Sequence, residues 1–221
     1  MSARIEDTLM LAPVVPVVVV DDAADAVPLA SALVAGGLPA IEVTLRTPAA
    51  LDAIERIAEE VPGAVVGAGT VTSAFHAADA VAAGARFLVS PGATPALLDA
   101  MRGSGVPFLP GAATPSDVIA LLERDVAVAK LFPAEAVGGV RTLRALAGPF
   151  PGMRFCPTGG IDLALAPSYL ALPNVLCVGG SWMLPAAAVR ERDWATVQTL
   201  AAAAAALGSP ARPAPPVPAP G

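Results

Sequence analysis

Apolar residues gather in this chain into short blocks of about strand length. The blocks are roughly Val14 to Val20, Ala40 to Thr44, Ala64 to Gly67, Phe87 to Val89, Phe108 to Leu109, Val126 to Leu131, Arg154 to Cys156 and Val175 to Val178. Between them lie longer stretches with helical punctuation. Asp22 to Ala35 stops at Gly36-Gly37, while Pro48 to Glu60 and Pro115 to Arg124 each open on proline, whose fixed φ and missing N–H suit a first helical turn. Strand, helix and strand in even alternation predict parallel pairing through right-handed crossovers. Eight such units within 221 residues point to the α/β class and a (β/α)8 TIM barrel, which needs roughly 200 to 250 residues. An open doubly wound sheet is the alternative, but its dinucleotide fingerprint fails: Gly67-Ala68-Gly69-Thr70-Val71-Thr72 carries threonine where the third glycine belongs.

The ends of the chain refine this picture. Ile5 to Leu11 reads as a short N-terminal helix placed to plug the bottom of the barrel, and Trp194 to Leu207 as the last helix. Residues 1–207 are therefore expected to form one domain. Residues 208–221 are rich in proline and alanine with almost no apolar anchor, a composition that predicts a disordered or polyproline-like tail.

Composition narrows the partners. With 55% hydrophobic residues the chain can bury a large core, and its net charge of −6 and pI near 4.7 argue against a nucleic-acid or anionic-membrane surface. An anionic substrate must then be held by local donors. The apolar run Val14 to Val20 is broken by Pro16 and is too short to span a bilayer. The N-terminus lacks the basic start and apolar stretch of a secretory signal, so a cytoplasmic protein is expected. Cys156 and Cys177 are too few for a disulfide framework and lack metal-ligand spacing; two reduced, buried thiols are expected.

Candidate chemistry begins at Lys130, the sole lysine against twelve arginines. It lies in Val126-Ala127-Val128-Ala129-Lys130-Leu131-Phe132-Pro133, where period-two geometry groups Val126, Val128, Lys130 and Phe132 on one face. An amine in apolar surroundings is driven toward its neutral form, which can attack a carbonyl to give a Schiff base, as arginine cannot. A lysine snorkelling from a strand end is the competing explanation. On the second strand Glu42, Thr44 and Arg46 alternate with Ile41, Val43 and Leu45. Glu42 and Arg46 could be a structural ion pair, or a general acid/base and a clamp for a substrate carboxylate.

Barrel active sites gather at the carboxyl ends of the strands. There Gly67-Ala68-Gly69-Thr70 offers a hydroxyl, and Pro157-Thr158-Gly159-Gly160 and Gly179-Gly180-Ser181 follow strands seven and eight, a recurrent barrel site for phosphate. Each Gly-Gly alone would be a tight turn. His76, the one histidine, reads as a solvated helix residue, no metal-ligand trio can be assembled, and Ser181 has no histidine for a triad. Trp182 and Phe155 read as packing residues.

Taken together, Glu42-Val43-Thr44-Leu45-Arg46-Thr47, Gly67-Ala68-Gly69-Thr70-Val71, Ser90-Pro91-Gly92, Lys130-Leu131-Phe132-Pro133-Ala134-Glu135, Arg154-Phe155-Cys156-Pro157-Thr158-Gly159-Gly160 and Gly179-Gly180-Ser181-Trp182 resemble the bacterial 2-keto-3-deoxy-6-phosphogluconate (KDPG) aldolases. The resemblance covers about residues 5 to 205. It implies a class I aldolase on a (β/α)8 barrel, a homotrimer, acting on a phosphorylated 2-keto acid to release pyruvate, in many members also on 4-hydroxy-2-oxoglutarate. It implies Lys130 as the Schiff-base amine, Glu42 as proton carrier, Arg46 and Thr70 on the pyruvyl carboxylate, and Thr158 in substrate orientation. Gly159, Gly160, Gly180 and Ser181 would hold the phosphate, with Phe132 and Pro91 lining the pocket, and neither a metal nor an organic cofactor is needed. Two rivals stay open: a non-covalent sugar-phosphate isomerase or epimerase using Glu42 as base, and a non-catalytic phosphate-ligand binding protein.

Overall fold

The computed structural model describes residues 4–208. After helix α1 (Ile5–Leu9), eight parallel strands alternate with helices: β1 (Val14–Val18), β2 (Ala40–Thr44), β3 (Val65–Gly69), β4 (Leu88–Val89), β5 (Phe108–Leu109, resumed as Gly111–Ala112), β6 (Val128–Leu131), β7 (Arg154–Pro157) and β8 (Val178–Gly180). The intervening helices are α2 (Ala26–Ala35), α3 (Ala50–Glu60), α4 (Ala74–Ala82), α5 (Pro95–Gly103), α6 (Pro115–Leu122), α7 (Gly139–Ala147) and α8 (Ala166–Leu170), followed by α9 (Ala186–Arg190) and α10 (Trp194–Ala205).

One ladder runs β5-β4-β3-β2-β1-β8 and another joins the second half of β5 to β6 and β7. The seam at β5 has a cause in Pro110, which has no N–H to give to a ladder. Phe108–Leu109 pairs with β4, Gly111–Ala112 pairs with β6, and the Pro110 carbonyl between them accepts the Lys130 N–H at 2.8 Å. Bridges Phe155 to Val175 and Thr158 to Gly179 close β7 onto β8. The result is the closed (β/α)8 barrel expected from the alternation.

Side-chain alternation separates two apolar regions. Inward residues Val15, Ala40, Phe87, Val89, Leu109, Val128, Cys156, Leu176 and Cys177 form a cluster inside the barrel, closed at its base by Ile5 and Leu9 of α1. Outward residues such as Ile41, Val43, Ala129, Leu131 and Phe155 pack against Leu33, Ile54, Ile57 and Leu143 of the surrounding helices. Lys130 and Glu42 thus occupy inward positions of β6 and β2, as the period-two pattern predicts.

Several boundaries differ from the sequence expectation. β1 ends at Val18, although the apolar run continues to Val20, and β3 continues through its glycines to Gly69. Val175 makes only a single bridge to β7, and the regular part of β8 starts at Val178. The segment from Asp22 opens with a 3-10 turn, capped by the Asp22 side chain accepting the Ala24 N–H, before α2 begins. Pro48 lies ahead of α3 rather than in its first turn, and α1 stops at Leu9. Of the expected tail, residues 209–221 lie outside the described residues. Among the described residues no helix is long and apolar enough to cross a membrane.

Candidate active site

Lys130 and Glu42 meet inside the barrel near the carboxyl ends of the strands. The Lys130 amine donates to Glu42 Oε1 at 2.9 Å and to Oε2 at 3.3 Å, with the residues only 5% and 3% exposed. The sequence left Glu42 paired with Arg46 as one reading, and that pairing is not the one formed. A closed barrel brings strand six across from strand two, and the buried carboxylate pairs with the buried amine instead. The partner also changes the expectation of an amine in purely apolar surroundings. A buried carboxylate at hydrogen-bond distance is what makes so deeply placed an amine tolerable. It also provides the acceptor to which the amine can hand its proton. Phe132, just past the end of this strand, places its ring centroid 5.4 Å from the same nitrogen.

Two glycines make room for this centre. Gly67 and Gly69 are inward positions of β3, and a Cβ on Gly67 would strike the Phe87 ring while one on Gly69 would strike the Glu42 carboxylate. These glycines serve packing of neighbours as well as close backbone approach. The next residue, Thr70, has φ of 60°, a left-handed conformation unusual for a β-branched side chain. Its Oγ1 accepts from Arg46 Nε at 3.3 Å, so the two residues expected to share a substrate carboxylate are indeed neighbours.

Thr158 is buried at the end of β7, its hydroxyl 3.5 Å from the Cys156 carbonyl, and it fills the space where a Cβ on Gly179 of β8 would be. Gly159 and Gly160 follow with φ of 105° and 79°, values that glycine tolerates and other residues resist. Gly180 lies against the Trp182 ring, and Ser181 is exposed beside it. Pro91 lies two residues past β4, its backbone against Gly111 of β5. A cleft of about 770 Å³ opens between the ends of β1 and β8, where Val17, Val19, Ser181 and Leu184 line it and Asp22 and Arg192 stand at its rim. A second hollow, of about 470 Å³, lies at the opposite end around Arg4, Arg102 and Val128, and neither Lys130 nor Glu42 lines either of the two.

His76 is a helix residue as expected, with its Nδ1 3.2 Å from the Thr72 hydroxyl. Cys156 pairs in register with Lys130, and its sulfur lies 3.5 Å from that of Cys177; both thiols are free and buried. The hydrogen bond between them, then burial and the neighbouring Glu42 charge, push the Cys177 thiol well above its ordinary range.

One pair was missed from sequence. Tyr169 of α8 is fully buried and donates its hydroxyl to Glu135. Burial, reinforced by the Glu135 carboxylate, raises the phenol well above its usual range. The signal was available: Tyr169 is the sole tyrosine of the chain, as Lys130 is the sole lysine.

Comparison with known proteins finds relatives over most of the chain. The family model for KDPG and KHG aldolase matches residues 5–200. The chain is 50% identical to the KHG/KDPG aldolase of Escherichia coli K12 over 196 residues, covering 89% of this chain and 92% of that one. It is also 50% identical to the 2-dehydro-3-deoxy-phosphogluconate aldolase of Pseudoalteromonas atlantica over 201 residues, covering 91% and 94%. A crystal structure of KDPG aldolase from Legionella pneumophila, with pyruvate captured at low pH as a covalent carbinolamine intermediate, superposes with a TM-score of 0.90 at 43% identity, covering 93% of this chain and all of that one.

Proposed function

This chain belongs to the KDPG and KHG aldolase family, and from that premise we propose that Lys130 and Glu42 together cleave 2-dehydro-3-deoxy-6-phosphogluconate to pyruvate and glyceraldehyde 3-phosphate. The enzyme is a class I aldolase, a lyase. The observation that carries the residue assignment is the buried contact of 2.9 Å between the only lysine amine and a carboxylate.

The steps follow from that contact. Lys130 passes a proton to Glu42, and the neutral amine adds to the C2 ketone to give a carbinolamine. Loss of water, with Glu42 returning the proton to the departing hydroxyl, leaves a cationic iminium. Glu42, directly or through a water, then takes the C4 hydroxyl proton while the C3–C4 electron pair moves into the iminium as an enamine. Glyceraldehyde 3-phosphate leaves. The enamine is protonated at C3, and water hydrolyses the resulting iminium to pyruvate and the free amine. Arg46 and Thr70 hold the keto acid carboxylate, and the 3.3 Å bond between them supports a shared role. Phe132 and Pro91 bound the pocket, Thr158 orients the middle of the substrate, and the backbone at Gly159, Gly160 and Gly180 with Ser181 takes the phosphate. The same centre also cleaves 4-hydroxy-2-oxoglutarate to pyruvate and glyoxylate, since that reaction needs the keto acid half and the amine but no phosphate.

Residues 1–207 form the aldolase unit, and three copies assemble. Exposed apolar side chains at Phe75, Ile119, Leu122 and Leu163 support a contact surface, and a solution mass three times the 21.9 kDa chain tests it. The two free thiols suit the reducing cytoplasm.

The deciding experiment is incubation with pyruvate, borohydride reduction and peptide mapping. An adduct on the Lys130 peptide, absent in Lys130→Arg together with all turnover, is the expected result. Folded protein with no adduct there would instead favour the isomerase or binding-protein reading.

A further inference from the structure

The two-glycine loop after β7 rests on a side chain from another part of the barrel. Ala134 donates its N–H to the Thr158 carbonyl at 2.8 Å, and Glu135 donates its N–H to the Gly159 carbonyl at 3.1 Å. The aliphatic stem of Glu135 fills the space beside Gly160: a Cβ there would fall 2.8 Å from Glu135 Cβ and 2.9 Å from Cγ. The carboxylate points elsewhere, its Oε1 packed near Gly139 at the start of α7 and bound by the hydroxyl of Tyr169. Tyr169 is carried by α8, the helix that follows the glycine loop. The connections β6–α7 and β7–α8 are thereby pinned to each other through one part-buried contact between exposed Glu135 and buried Tyr169, with Gly159 and Gly160 between them.

We propose that Glu135 and Tyr169 are positioning residues for phosphate recognition: the stem of Glu135 sets the glycine loop, and Tyr169 holds the carboxylate turned away from the anion that loop receives. The proposal rests on the reading of Gly159 and Gly160 as phosphate donors. An acidic side chain so near an anion site would repel its ligand if released, because like charges a few ångströms apart, closer than the screening length, still interact. Tyr169 therefore serves selectivity for the phosphorylated substrate and has no part in the chemistry at Lys130.

Tyr169→Phe deletes one hydroxyl and keeps the ring that fills the core. The expected result is a KM for 2-dehydro-3-deoxy-6-phosphogluconate raised about tenfold, the order for losing a hydrogen bond to a charged group. kcat and the rate of borohydride trapping of pyruvate on Lys130 should stay at wild-type values. Glu135→Gln keeps an acceptor for Tyr169 and should retain most of the wild-type KM, whereas Glu135→Ala should behave like Tyr169→Phe. Equal losses in KM, kcat and pyruvate trapping, or no change in Tyr169→Phe, would overturn the positioning role. The underlying phosphate reading is checked separately in the wild type: if inorganic phosphate fails to compete with the phosphorylated substrate there, that reading fails and the proposal with it.

Discussion

The carboxylate of Glu42 lies directly against the Cα of Gly69, in the space that a Cβ would need. An added methyl must move the carboxylate or β3, and the carboxylate is the member bonded to Lys130. Gly69→Ala should therefore lower kcat by roughly 10²-fold, the scale for displacing a catalytic group by about 1 Å. Overpacking should cost about 1 to 3 kcal/mol of stability. Steady-state kinetics and thermal unfolding on the same sample read both, and a wild-type kcat would show that the position of Glu42 does not limit the reaction.

Glu42→Gln keeps the shape and one acceptor but cannot carry a proton. Cleavage should slow by roughly 10²- to 10⁴-fold. The exchange of pyruvate methyl protons with deuterated water, followed by NMR, should slow in the same proportion, because it needs the same proton transfer at C3. Exchange that persists at the wild-type rate would assign that proton to another group.

The sulfur pair offers a check on burial. Cys156 and Cys177 lie inside the barrel, and the Cys177 thiol is pushed upward by its bond to Cys156 and by burial. Because the thiolate is the reactive form, neither cysteine should react with iodoacetamide at mild alkaline pH in the folded protein, and both should react in guanidinium. Rapid labelling of the native state would contradict the packing of this layer.

Asp117 gives a pH dependence with a definite sign. It closes the capping box of α6, and although burial alone would raise its pKa, hydrogen bonds from Ala113 and Thr114 hold it below the ordinary carboxylate value. As pH falls the unfolded chain takes up this proton first. The stabilisation is thus complete above the unfolded value of about 3.9 and disappears as pH drops through the lower folded value. Asp117→Asn should be less stable at pH 7 by under about 1 kcal/mol, since the group is mostly exposed. Urea midpoints should converge for the two proteins as pH falls below the ordinary carboxylate value; a gap that widens in acid would reverse the assignment.

Much of the barrel was legible because each βα unit carries local signals. Period-two alternation identifies Lys130 and Glu42 as inward on their own strands, and Pro115 and Gly36 mark helix ends without help from distant residues. The contact between Lys130 and Glu42 was not legible, because 88 residues separate them and their distance is set by ring closure. Glu42 and Arg46 looked like partners only because they are near in sequence. Pro110 similarly splits a strand whose partners on either side are different strands, a fact that emerges only with the full sheet order. Tyr169 and Glu135 escaped notice since a single buried phenol has no periodicity, and its partner comes from a neighbouring connection.

With Ile5 and Leu9 stoppering its base, the barrel is a vessel with one mouth. On the proposed mechanism the keto acid half is bonded to Lys130, above the apolar layer that α1 closes from below, and the aldehyde fragment lies on the open side toward the carboxyl ends of the strands. Departure must be last in, first out: the aldehyde leaves, water enters along the same route, and pyruvate follows. In synthesis the order inverts, with pyruvate loading first. Pyruvate should accordingly inhibit cleavage competitively against the substrate while the aldehyde inhibits non-competitively, a pattern that initial-rate measurements with added products can read.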